Sequence, residues 1–395
     1  MTPPRVALFT DTFDETNGVA TLCRQFTAFA VSRQLPFLCV RGGPRTQVTA
    51  DGPLTTLELK RGPAAFPVDY DLRCDPLLSR YKRRVVDRLR SFAPDLVHIT
   101  GPGDFGTLGM WAAHTLRVPL VASWHTNLHE YAGRRLEKMF SALPARWRQP
   151  AARVGEDLSL SALLRFYRLP CFSMAPNESM LELLRARTGK PAYFMPHGVD
   201  TARFTPSRRR PRGKVFSIGY VGRLTPEKNV RLFVELEQRL LAAGQRDFRL
   251  VLIGEGSERE WLNSHLQHGD APGILRGDAL ADAFADMDVF VFPSHTDTFG
   301  LVILEAMASG VPVVVSPETG ARVEVQPGVT GFLADGVAGF TQSILHLMAS
   351  EELRQNMSAA ARQFACTRSW SGVFEHVYAT YQKRLPACRR PQPRV

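Results

Sequence analysis

Two stretches of this 395-residue chain set charged side chains where a strand feeds a helix, and both suit an anion. In GYVGRLTPEKN, Gly219 to Asn229, Arg223 and Lys228 lie on the connecting loop with Gly222 beside them. A strand end, a small-residue turn, two cations and a helix start together form a suitable anion site. Two surface cations on a turn are the plainer alternative. The second stretch, DVFVFPSHTDTFGLVILEAMASGVPVVVS, runs from Asp288 to Ser316. An apolar strand ends at Pro293, a polar loop carries Asp297 and Thr298, and a helix starts near Phe299–Gly300. The amides from Phe299 through Gly300 and Leu301 to Val302 then lack intrahelical acceptors, and the helix dipole favours negative charge there. Gly300 lets a phosphate approach the backbone closely. Glu305 stands inside the otherwise apolar LVILEAMA. Its carboxylate calls for a ligand or an internal salt bridge, because an unpaired buried charge is costly.

Two weaker patterns accompany these. His125 and His129 in HTNLH are spaced like metal ligands on one helix face, but Thr126 stands where HExxH needs its Glu, so no metal is expected. His125 follows a strand at its carboxyl end, the position from which a side chain reaches a ligand. Gly101, Gly103 and Gly106 satisfy GxGxxG, yet the next strand ends in His125 rather than an acidic residue. The motif therefore reads as a tight turn feeding a helix, not a dinucleotide site.

The elements that would position these residues alternate strand and helix, the pattern of parallel sheets built from βαβ units. In the first half strands are expected at residues 6–10, 36–40, 54–59, 95–100, 119–124, 171–175 and 192–196. Helical patterns fall at 19–33, 80–92, 107–115 and 178–187. The Pro-, Gly- and Arg-rich segment 196–214 reads as a linker. A second series follows, with strands at 216–221, 248–253, 273–276, 289–292 and 312–315. Its helices are expected at 230–243, 258–267, 279–286, 300–308, 338–349 and 351–364, and a closing helix at 370–385. The fold class is α/β, two doubly wound Rossmann-like domains in tandem whose carboxyl edges could face one another across a cleft.

Composition agrees with an enzyme-like globular chain: 44% hydrophobic and 22% charged residues. No apolar run approaches the roughly 20 residues of a spanning helix. The start, MTPPRVALFTDTF, offers no secretory signal. Six cysteines are scattered without a CxxC pair, so neither zinc nor a disulfide framework is expected and the cytoplasm is the simplest setting. The net charge of +11 is concentrated at Arg80–Arg90, Arg134–Arg135, Arg146–Arg148 and Arg208–Arg212. These clusters are either solvated helix faces or a surface for an anionic membrane. No motif or aromatic platform for nucleic acid accompanies them.

Taken together, VGRLTPEKN, LIGEGSER (Leu252–Arg259) and SHTDTFGLVILEAMASGVPVV resemble retaining glycosyltransferases of the GT-B fold, glycosyltransferase family four. The opening LFTDTFDETNGVAT is similar to that family's mobile Gly loop, SWHTNLHEYA to its donor-side His motif, and PHGVDTARFTP to its interdomain crossing. The opening and His motifs look most like members that transfer mannosyl or sulfoquinovosyl groups to phosphatidylinositol or diacylglycerol.

The resemblance implies an acceptor-side domain over 1–198 and a nucleotide-sugar domain over 199–369, with the helix 370–385 able to pack back on the first. It implies that Arg223 and Lys228 grip the donor diphosphate and that the Thr298–Val302 segment offers backbone amides. Glu305 would bind the ribose hydroxyls, His125 would meet the hexose, and Gly18 would lie by the diphosphate. The family's paired acidic motif has Glu at both ends with seven residues between. Here Asp297 holds the first position, as a sugar contact or as a cap of the following helix. The implied donor is a GDP- or UDP-hexose of mannose or glucose type, and the implied acceptor a membrane lipid or glycolipid. Neither metal nor cofactor is expected, and the setting would be cytoplasmic, peripheral at the inner face of the membrane. An epimerase-like enzyme, a non-catalytic sugar-nucleotide binder and a transferase to a soluble sugar are the alternatives.

Overall fold

The short apolar runs form the parallel strands of two separate sheets. The computed structural model describes residues 2–15, 17–69, 72–125, 145–211, 213, 215–295, 297 and 300–388. The chain divides into two units, Met1–Pro196 with Val373–Val395, and His197–Gly372.

The first unit contains β1 (Val6–Thr10), β2 (Phe37–Gly43), β3 (Gln47–Asp51), β4 (Leu54–Lys60), a small hairpin of β5 (Phe66–Asp69) and β6 (Leu72–Cys74), then β7 (Leu96–Ile99), β8 (Leu120–Ser123), β9 (Phe172–Ala175) and β10 (Ala192–Phe194). Eight of these make one sheet in the order β10-β9-β8-β7-β1-β2-β4-β3, with only β3 antiparallel to its neighbour. Strands β1 and β7–β9 are buried throughout, which is why they read as mainly apolar runs, with buried polar exceptions such as His98, Ser123 and Ser173. By contrast β3 is exposed along its whole length. It exists because Asp51–Gly52, with Gly52 at φ +54°, turns the chain back onto β4.

The second unit contains β11 (Phe216–Val221), β12 (Phe248–Ile253), β13 (Gly269–Gly273), β14 (Val289–Phe292), β15 (Val313–Val315) and β16 (Gly331–Leu333). They form a wholly parallel sheet in the order β13-β12-β11-β14-β15-β16. Strand order reverses between β11 and β14, and in the first sheet between β1 and β7. Ligands of open α/β sheets bind at such switch points, beyond the strand carboxyl ends.

One expectation from sequence is corrected. The strand placed at 273–276 lies instead at Gly269–Gly273. It is pinned there by polar contacts rather than by apolar burial: Glu237 accepts from the amides of Gln267 (3.0 Å) and His268 (2.6 Å), and Asn263 Oδ1 accepts from the Ala271 amide at 2.8 Å. A helix over Ala145–Phe166 was not legible, because Pro150 and a low apolar content hide its period.

The basic linker cluster is consumed within its own unit. Arg208 bonds Asp278 (3.0 Å) and Asp282 (2.9 Å), Arg210 bonds Asp286 at 2.8 Å, and Arg209 pairs with Asp288. In the first unit Arg80 is tied to Asp75 at 3.0 Å, while Arg83 and Arg84 remain exposed on the helix Lys82–Phe92. Arg134 and Arg135 lie outside the described residues. No described helix is long and apolar enough to cross a membrane.

The last helix, Trp370–Cys388, contributes its residues from Val373 onward to the first unit. There Phe374 stacks on Phe26 at 4.5 Å between ring centroids, and Phe29, Tyr378 and Tyr381 extend the cluster. Phe374 is wholly buried. Removing its ring leaves a cavity between this helix and Gly18–Ser32, so Phe374→Ala should lose about 3–5 kcal/mol of stability in denaturant titration. A loss under about 1 kcal/mol would mean that the helix contributes little to the unit's core.

Candidate active site

Two loops at the switch point of the second sheet bring most of the sequence-derived site residues together. The loop after β11 carries Arg223, then a short 3-10 turn Pro226–Lys228, and closes on Asn229 at φ +55°. An Asn tolerates this left-handed backbone better than most residues. The loop after β14 carries His295 and Asp297 and leads to Gly300, at φ +71° and ψ +63°, which caps the helix Leu301–Ala308. That left-handed backbone strains any residue with a Cβ, which accounts for glycine at this point.

The loops are joined by polar bonds. Lys228 Nζ donates to Asp297 Oδ2 at 2.7 Å, with only 8% of the lysine side chain exposed. Asn229 Nδ2 meets His295 Nε2 at 3.3 Å, and His295 Nδ1 faces Glu318 at 2.9 Å and Ser316 Oγ at 3.2 Å. The Asp297 backbone oxygen accepts from Gly320 N (2.9 Å) and Thr319 Oγ1 (3.1 Å). Among the described residues the Asp297 carboxylate therefore serves Lys228, and no helix amide is its partner. Asn229, His295, Ser316, Thr319 and Glu318 were missed in the sequence. Only the placement of Asn directly after EK hinted at a turn.

A third loop supports the first from below. Leu224 N donates to Glu255 O at 2.8 Å, and Glu258 N donates to Leu224 O at 2.9 Å. At Gly254, φ +151°, an added Cβ would fall 1.8 Å from the Gly222 carbonyl oxygen, so the two backbones approach as only glycine permits. The Arg223 carbonyl is held by the Tyr220 hydroxyl at 2.9 Å.

Glu305 points from one turn inside the helix and is partly buried. No described residue donates to its carboxylate, so the salt-bridge alternative is not realised among them. Burial pushes its carboxyl from an ordinary 4.5 up to about 8. The amides of Leu301 and Val302 precede the first intrahelical bond and face out of the helix N-terminus. Thr298 and Phe299 lie outside the described residues. At this edge the unit thus brings together the Lys228 ammonium, a second cation, Arg223, on the same loop, the Leu301 and Val302 amides, and a carboxyl that can donate as well as accept. That set suits a phosphorylated polyol.

The other candidate residues lie in the first unit. Gly18 opens the helix Gly18–Ser32 behind Asn17, whose Oδ1 accepts from Ala20 N at 2.8 Å. A Cβ at Gly18 would meet nothing within 4 Å, so packing does not demand a glycine. His125 follows β8 and is buried, its Nε2 bonded to Ser123 Oγ at 2.7 Å. His129 lies outside the described residues. The GPGDFG turn is filled by the protein itself. Asp11 Oδ1 accepts from Phe105 N at 2.9 Å, and a Cβ at Gly103 would lie 2.4 Å from the Asp11 carboxylate. The helix terminus that would hold a dinucleotide phosphate is thus occupied by a carboxylate.

Comparison with known proteins defines the class. Residues 16–203 match the domain described as glycosyltransferase family 4, and residues 204–364 the domain of glycosyl transferases group 1. A GDP-mannose-dependent alpha-mannosyltransferase of Mycolicibacterium smegmatis is 34% identical over 76% of this chain and 77% of its own length. Among solved structures, sucrose-phosphate synthase from Thermosynechococcus elongatus superposes with a TM-score of 0.72 at 18% identity, covering 97% of this chain and all of that one. Anabaena HepE, solved with UDP and glucose, gives 0.66 at 17% identity over 96% of this chain and 99% of its own. The fold is that of GT-B glycosyltransferases, two Rossmann-like domains in one chain. The chain belongs to glycosyltransferase family four and is a glycosyltransferase that uses a nucleotide-sugar donor.

The raised Glu305 carboxyl gives a pH test. The folded chain keeps this proton in a range where the unfolded chain has lost it. The group's contribution is therefore fully present below about 4.5 and lost as pH rises through about 8. A Glu305→Gln variant cannot ionise, so its stability advantage over the parent should widen from about pH 4.5 to about pH 8 and then level. Parallel stability curves for the two proteins would contradict the assignment.

Proposed function

We propose that the chain transfers mannose from GDP-mannose, with retention of configuration, to a lipid or glycolipid acceptor at an anionic membrane surface. The observation that carries the reading is the cationic switch-point site of the second unit, where Lys228 is held beside Asp297 next to an open helix N-terminus. In this reading Arg223 and Lys228 bind the diphosphate, with the amides of Gly300, Leu301 and Val302, and Glu305 binds the ribose. Asp297, His125 and Gly18 serve the hexose and the reacting end of the diphosphate. Residues 199–369 are then the donor side and 1–198 the acceptor side.

The chemistry asks for no metal. Breaking the bond from sugar C1 to phosphate leaves negative charge on the nucleoside diphosphate, and two cations with a helix terminus stabilise that charge electrostatically. The choice of mannose is supported by the relatives described as GDP-mannose-dependent alpha-mannosyltransferases. GDP-mannose carries its sugar in α-linkage, so an α-mannoside product means retention. The lipid acceptor is supported by the exposed Arg83 and Arg84, whose cationic face would contribute about 1 kcal/mol per residue near an anionic leaflet.

The test is incubation with GDP-mannose, UDP-glucose and other nucleotide sugars, together with phosphatidylinositol-containing vesicles and soluble sugars. The products are read by mass spectrometry and anomeric NMR. An α-mannosyl lipid formed from GDP-mannose, at a rate that falls with added salt, is the expected result. Arg223→Ala and Lys228→Ala should each weaken GDP binding by about 1.5–3 kcal/mol. A UDP-sugar as sole donor, a β-linked product or transfer only to a soluble sugar would each overturn the corresponding part of the reading.

A further inference from the structure

His125 is not an isolated imidazole. Its Nε2 lies 2.7 Å from Ser123 Oγ, the same hydroxyl lies 2.9 Å from His98 Nε2, and His98 Nδ1 bonds the Tyr381 hydroxyl. His98, Ser123 and Tyr381 are wholly buried, and His125 nearly so. The four side chains come from β7, the end of β8, the segment after it, and the last helix, 283 residues along the chain from His98.

We propose that Tyr381, His98 and Ser123 form a positioning relay that fixes the proton of His125 on Nδ1. The proposal rests on reading His125 as a hexose contact. The direction of the relay follows from the bonding capacity of each group. Among the described residues the Tyr381 hydroxyl has one hydrogen-bond partner, His98 Nδ1. A buried O–H without an acceptor costs more than an unused lone pair, so the phenol donates. Burial holds His98 down to about 3 and His125 to about 4, so both rings are neutral near pH 7. A neutral His98 that accepts at Nδ1 carries its hydrogen on Nε2 and donates it to Ser123 Oγ. The serine proton then goes to His125 Nε2, which leaves His125 with its hydrogen on Nδ1. The bond made by one ring nitrogen sets what the other offers. His125 therefore presents an N–H donor to a sugar oxygen rather than a lone pair that could take a proton.

The relay also gives the last helix a role at a distance. The aromatic cluster of Phe26, Phe374 and Tyr378 holds Tyr381 in place, so the register of that helix decides whether the phenol reaches His98.

The test uses the full chain with 15N-labelled histidine, the His125 resonances being identified by their loss in His125→Gln. In the parent, Nε2 should appear as an unprotonated nitrogen and Nδ1 as a protonated one. Tyr381→Phe keeps the ring in its cluster and Ser123→Ala breaks the next link. In both, His125 should shift to mixed tautomers, and kcat for sugar transfer should fall about tenfold with donor KM unchanged. Ser123→Thr keeps the hydroxyl and should restore both readouts, while melting temperature shows whether each variant is folded. The relay is overturned by an Nε2–H tautomer in the parent or by a tautomer unchanged in both variants. It is also overturned by an unaltered kcat in both while His125→Gln is impaired. A fully active His125→Gln would defeat the hexose-contact reading instead, and the nitrogen shifts would still decide the relay.

Discussion

The Lys228 ammonium lies almost out of contact with water at the carboxyl edge of the second sheet, and a desolvated cation must have an anion beside it. Asp297 meets that need at 2.7 Å, and to do so the loop after β14 must lie against the loop after β11. The rest of that edge follows from this closure. Asn229 turns left-handed directly after the lysine and reaches His295, the Asp297 carbonyl is held by Gly320 and Thr319, and glycines let the loop after β12 support the first from beneath. A diphosphate would compete for the same ammonium with two charges rather than one. The bonded pair holds the two loops together, and under the proposed reading it is the contact that donor binding would displace.

The two switch points have been put to different uses. In the second unit no side chain of the described residues caps the helix terminus beside β14, and Lys228 stands on the neighbouring loop. In the first unit the terminus beside β7 is closed by Asp11, a partly buried carboxylate bonded to the Phe105 amide. Burial raises the Asp11 carboxyl to about 6, against the amide bond and Arg61, which work the other way. Two sheets of related topology thus each lead from a switch-point strand into a helix, but a carboxylate meets the helix amides in the first, whereas a lysine stands on the neighbouring loop in the second.

Most of the fold is legible because parallel strands buried on both faces, such as FSIGYV and VFVF, are mainly apolar runs that need no context. What stayed hidden was set by polar contacts between distant segments. Strand β13 is placed by Glu237 and Asn263, and β3 by a turn and one neighbour. The same division holds for the site. Arg223, Lys228, Gly300 and Glu305 stood out because charge or glycine interrupts an apolar pattern. Nothing local distinguishes Asp297 as an ion-pair partner rather than a helix cap, since both roles need a short carboxylate. Ser123, His98 and Tyr381 carry no signal at all as a group until the fold brings them together.

The central claim is that the ammonium of Lys228 is held in readiness for a diphosphate. It is tested most directly by a structure of the chain with GDP bound. The account predicts the β-phosphate within hydrogen-bond distance of Lys228 Nζ and of the Leu301 and Val302 amides, with the lysine drawn away from its 2.7 Å contact to Asp297. GDP bound elsewhere in the chain, with the Lys228–Asp297 pair intact, would contradict it.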